Sequence, residues 1–113
     1  MATGAIEPTV FAELQASAGA DFVRELIDTF LEEAPPMLAE LREALAGARA
    51  EPFRRAAHSL KSNANTFGAS GLGAMAKDLE LNGLPPAGEA SALDALAQEY
   101  ARVAARLAEL RGG

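Results

Sequence analysis

Apolar residues recur along this chain at helical spacing. Val23, Leu26, Ile27, Phe30, Leu31, Ala34, Leu38, Leu41 and Leu45 step mostly by three or four, the period of one face of an α-helix. Pro35 and Pro36 interrupt that stripe without shifting its phase. They remove backbone donors and crowd the preceding turn, so the pattern predicts one kinked helix or two nearly end to end. Asp21 is the expected N-cap and Gly47 the expected end. Ahead of it, Pro8 suits the first turn of a short helix to about Ser17, closed by Gly19. Residues 1–7 read as a loose tail.

Three further stripes follow. Phe53, Ala57, Leu60, Ala64 and Phe67 step by four and three, a bundle-type seam. They predict a helix from about Glu51 to Thr66, with Pro52 in its first turn and Gly68 as its stop. Leu72, Met75, Ala76 and Leu79 mark a fourth helix, with Ser70 as N-cap and Gly83 as stop. Leu93, Leu96, Ala97, Tyr100, Ala104 and Leu107 mark a fifth, from about Glu89 to Leu110. The Thr66–Ser70 connection is short enough to force a helical hairpin. The expected fold is all-α: an antiparallel four-helix bundle with a short additional N-terminal helix. One domain of residues 8–111 accounts for the pattern.

Composition supports this. Among 113 residues half are apolar, few are aromatic and none is cysteine. Disulfides, thiolate chemistry and cysteine metal sites are excluded, and one histidine makes a zinc site a poor reading. No apolar run has the length of a membrane span, and the start has no signal-like pattern. The expectation is a soluble, cytoplasmic chain, with a monomer as its simplest state. The formal charge is −6, which speaks against nucleic acid as a partner. It is unevenly spread: −7 over residues 1–48, +3 over 49–62 and −2 over 63–113. The one positive segment holds the one histidine, His58.

Helical phase places that histidine. With the seam of the third helix at zero, His58 lies about 140° away, Arg54 about 100°, Lys61 about 80°, Asn65 about 120° and Ser62 about 180°. All five point away from the core. A polar face carrying an ordinary exposed histidine is the bland reading. Its neighbours sharpen it. Neutral imidazole is a nitrogen nucleophile near neutral pH. Lys61, one turn on, brings charge that can offset a phosphoryl group. Ser62 is small enough to let a bulky partner reach the ring. Gly73 lies one turn before Lys77, where its missing side chain can admit a partner. On the fourth helix Lys77 and Glu80 flank the seam residues Ala76 and Leu79 by about 100°. In a hairpin that flank can face His58, with Glu80 accepting a hydrogen bond from Nδ1–H and Nε2 left as the nucleophile. A surface pair of Glu80 with Lys77 or Lys61 is the alternative.

His58-Ser59-Leu60-Lys61-Ser62, then Phe67-Gly68-Ala69, Leu72 and Leu79-Glu80, closely resemble the signature of histidine-containing phosphotransfer (HPt) domains of bacterial phosphorelays. The resemblance implies a phosphoryl carrier without an ATP site. His58 would accept the group from an aspartyl phosphate on a receiver domain and pass it to another. It implies receiver domains of response regulators or hybrid kinases as partners. No cofactor is implied on this chain, and Mg²⁺ is expected on the receiver. By position it makes Glu80 the contact of the histidine. Arg54, Arg55, Ser62, Asn65 and Lys77 would border the docking surface. Where the family often has glycine this chain has Ser62. A dimerisation-type kinase domain usually has an acid where Ser59 stands. Two other readings stay open: a non-catalytic HPt-like module that sequesters a regulator, and the detached HPt domain of a chemotaxis-type kinase.

Overall fold

A computed structural model describes residues 5–86 and 89–112. It contains five helices: α1 (Pro8–Ala18), α2 (Ala20–Ala46), α3 (Ala50–Thr66), α4 (Ser70–Asn82) and α5 (Ser91–Arg111). No strand occurs among the described residues. The principal packing pairs make a closed ring: α2 on α3, α3 on α4, α4 on α5, and α5 back on α2, with α1 leaning on α2. The apolar stripes turn inward to share one core.

The five seam residues of α3 are all buried, with Phe53, Ala57, Leu60 and Ala64 fully shielded from solvent. Truncating Phe53 to alanine would cost about 3–5 kcal/mol by the usual cavity penalty. Phe30 joins two elements, with its ring 5.5 Å from Phe67 and 5.8 Å from Tyr100, centre to centre. Both contacts have the tilted geometry that aromatic quadrupoles favour.

Helix α2 is a single helix that runs through Pro35 and Pro36. Both prolines are exposed, so the carbonyls they leave without intrahelical donors can be solvated. Three expected boundaries shift. Asp21 is not the cap of α2 but lies in its first turn, after Gly19 at φ +91°. Ser70 opens α4 rather than capping it, and its hydroxyl donates to the Glu7 carboxylate. Glu89 lies before α5. Its carboxylate accepts from the Ser91 hydroxyl and backbone N–H, and these bonds hold it below the usual carboxylate range.

The tail expectation is corrected for residues 5–7, while 1–4 lie outside the described residues. Ala5 and Ile6 are buried against the core. The Glu7 N–H donates to the Gly68 carbonyl at 2.9 Å, which ties the segment to the α3–α4 turn. Burial of Ile6 repays the ordering of so short a segment. Gly68 is required there twice over. Its φ is +82°, and an added Cβ would stand 2.8 Å from the Val10 Cβ.

Candidate functional site

The α3 seam anchors one side of the helix, so its polar flank is presented outward at mid-length. His58 is there, with 58% of its side chain exposed. The short turn at Gly68 folds α4 back along α3. That brings Glu80 to the ring, with Nδ1 2.8 Å from Oε2. The Glu80 side chain is only 18% exposed. Its other oxygen, Oε1, is closed off from solvent and meets the Lys61 ammonium at 2.8 Å. That contact is an ion pair rather than an aligned hydrogen bond. One carboxylate therefore holds both chemical groups that the α3 sequence sets on this flank.

The Lys61 ammonium, and after it the His58 ring, hold the Glu80 carboxyl below the usual glutamate range. Glu80 is thus ionised at neutral pH and can only accept a hydrogen bond. His58 Nδ1 must then carry the proton. In the neutral ring this leaves the lone pair on Nε2. No described residue bonds Nε2.

Beside the ring an open hollow of about 260 Å³ is lined by Arg54, Arg55, His58, Ser59 and Glu80. Arg54 reaches Glu51 at 3.3 Å in a surface pair, while Arg55 has no ion pair or hydrogen bond among the described residues. A second hollow, shared with α2, is lined by Met37, Glu40, Arg55, Ala56 and Ser59. Ser59 lines both, yet as a small polar residue next to the histidine it carried no signal in the sequence beyond its place in the motif.

The remaining site residues divide. Ser62 is exposed one turn beyond His58, and Lys77 is exposed on α4. Asn65 is exposed as well, but its amide lies against the α4 backbone at Gly73. An added Cβ at Gly73 would fall 2.2 Å from the Asn65 Oδ1. Gly73, expected to leave room for a partner, is buried beneath the Asn65 amide instead. Lys61, expected to offset phosphoryl charge, has its ammonium on Glu80, a pairing the sequence had left open as the alternative. Among the described residues no cluster of His, Cys, Asp and Glu fits a metal ion, and no helix is long and apolar enough to cross a membrane.

The family model of the Hpt domain matches residues 25–111. The chain belongs to the Hpt domain family. No curated protein matches it. Among solved structures it is similar to histidine-containing phosphotransfer protein B (HptB) from Pseudomonas aeruginosa PAO1. The two share 27% identity at a TM-score of 0.84, over 97% of this chain and 96% of that one. Hpt domains are phosphoryl carriers of phosphorelays rather than enzymes in their own right, and they work with receiver domains. The all-helical fold and the resemblance read from the His58 motif both agree with this family.

Proposed function

We propose that this chain accepts a phosphoryl group on His58 from the aspartyl phosphate of a receiver domain and relays it to a second receiver. The observation that carries the reading is the exposed His58 ring held at Nδ1 by an ionised Glu80. The Nε2 lone pair forms the new P–N bond. The P–O bond to the receiver aspartate breaks, and its electron pair leaves with that carboxylate. The proton on Nδ1 stays in place. The resulting phosphoimidazolium is stabilised by the Glu80 carboxylate, and loss of the group to the next aspartate reverses the step.

In this reading the chain is a carrier with no ATP site and no cofactor of its own. The receiver brings the aspartate, Mg²⁺ and most of the transition-state stabilisation. This chain contributes a ring of fixed orientation and tautomer, so that little reorganisation is needed at the moment of transfer. Glu80 sets the ring, and Lys61 braces Glu80 while adding positive charge to the flank. Arg54, Arg55, Ser62, Asn65 and Lys77 border the face on which the receiver docks, with local positive charge that steers an acidic pocket. The protein acts as a monomer in the cytoplasm, on an antiparallel four-helix bundle with an added N-terminal helix.

The test is transfer from a radiolabelled phosphorylated receiver. Label should appear on the chain in an acid-labile, base-stable form and be absent from the His58→Gln variant. Undiminished labelling of that variant overturns the assignment.

A further inference from the structure

The phosphorylated form poses a charge problem that the site as drawn leaves open. Glu80 binds Nδ1, and Lys61 sits on the far oxygen of Glu80. Nε2 lies across the ring from the Nδ1 contact. A phosphoryl group added there points away from the Glu80 oxygen that holds the ring. If Lys61 left Glu80 to follow it, the half-buried carboxylate would lose the cation on its closed-off oxygen.

The other cations lie one turn back along α3. Side chains on an α-helix tilt toward its N-terminus. The His58 ring therefore leans over the preceding turn, where Arg54 and Arg55 stand at i−4 and i−3. The hollow beside the ring is lined by those two arginines, Ser59 and Glu80, and not by Lys61. Arg55 makes no ion pair among the described residues, although it shares hollows with Glu40 of α2 and with Glu80, and Arg54 pairs only with the exposed Glu51 at 3.3 Å, a contact easily given up. Guanidinium groups also match the oxygens of a phosphoryl group in pairs, which an ammonium does not.

We propose that Arg54 and Arg55, rather than Lys61, hold the phosphoryl oxygens once His58 is phosphorylated at Nε2. The inference rests on His58 being the acceptor. Lys61 then serves the ring indirectly through Glu80, and the arginines act on the group that is carried.

The test needs no receiver, which separates this role from docking. Phosphoramidate is the donor: Nε2 takes its phosphoryl group, the donor P–N bond breaks and ammonia leaves with the electron pair. The second ionisation of the phosphoryl group is then followed by ³¹P NMR against pH. Nearby cations favour the dianion, so the Arg54→Gln/Arg55→Gln double variant should raise the midpoint by about half a pH unit or more. Arg54→Lys/Arg55→Lys should restore most of the shift, and Lys61→Gln should move the midpoint less. An unchanged midpoint in the double glutamine variant, or a larger shift in Lys61→Gln, overturns the proposal. Phosphorylation at His58 with an unmoved midpoint defeats this inference alone. Failure of His58 to take the label at all defeats the proposed function with it.

Discussion

Glu80 and Asp28 are both carboxylates held below their usual range by cations from another helix, and what surrounds them separates a site from a clasp. Asp28 on α2 is gripped by the Arg111 guanidinium of α5 through both of its oxygens. Arg24 completes the cluster by donating to the Arg111 carbonyl at 3.2 Å. The Arg111 bonds, and then the charges of Arg111 and Arg24, keep Asp28 ionised. Every strong group there has a partner, and a guanidinium offers no lone pair. Glu80 instead holds an ammonium and an imidazole. The imidazole has a second nitrogen that the network leaves open. A carboxylate closed by arginine ties two helices together, while a carboxylate closed by histidine aims a nucleophile.

The contrast breaks most sharply at His58. His58→Gln should abolish phosphoryl acceptance while leaving the melting temperature near that of the parent, because the ring is mostly exposed and buries little. Label incorporation beside a circular-dichroism melt reads both. If the variant unfolds early, the site is also structural and the distinction from the Asp28 clasp weakens.

Next in size is the paired change of the carboxylates. Glu80→Gln should slow transfer by on the order of tenfold to a hundredfold, since the ring loses its fixed orientation and tautomer. Asp28→Asn should leave the transfer rate within about twofold. It should lower the melting temperature by a few degrees, as loss of a modest tertiary contact does in a domain of this size. Stopped transfer in Asp28→Asn would show that the clasp reaches the site.

Acid should erode the clasp in a defined window. A carboxyl whose folded pKa is depressed contributes stability that is fully present above its unfolded value. That contribution is lost as pH falls through the folded value. For Asp28 and Glu80 the window therefore lies at and below the ordinary carboxylate range. Melting temperature should fall with acidification there, and the fall should be shallower in Asp28→Asn. An identical pH profile in parent and variant would remove Asp28 from the account.

The smallest effect resolves the two partners of Glu80. Because the Lys61 ammonium is the larger cause of the depressed Glu80 carboxyl and His58 the lesser, Lys61→Gln should raise its titration midpoint more than His58→Gln does. Carboxyl ¹³C NMR measures the difference, and the reverse order would contradict the bracing role given to Lys61.

The helices were readable because their stripes are regular. The α3 seam was found residue by residue, and the outward flank with His58, Arg54 and Ser62 followed from phase alone. Val103 and Ala44 are buried too, but their burial depends on neighbouring helices that a single stripe does not specify. Residues 5–7 were misread as tail because a short apolar segment has no period to betray its docking. Helix caps failed similarly. Ser70 and Asp21 have the right chemistry for capping, but Glu7 and the Gly19 backbone decided the local geometry. At the site, the Glu80 contact with His58 was anticipated from hairpin phase. The Lys61 pair with Glu80 stayed an open alternative, because position on a helix says nothing about which of several acceptors a long side chain chooses.

The amino-acid sequence by itself determined the helical class, the positions of most helix ends and the outward placement of His58, because helical period is a local property of side-chain order. Only the tertiary structure decided that Glu80 would hold His58 and Lys61 together, that Asn65 would cover Gly73 and that Arg111 would close on Asp28. Those contacts join residues far apart in the chain, and distance between helices is set by how their buried faces pack.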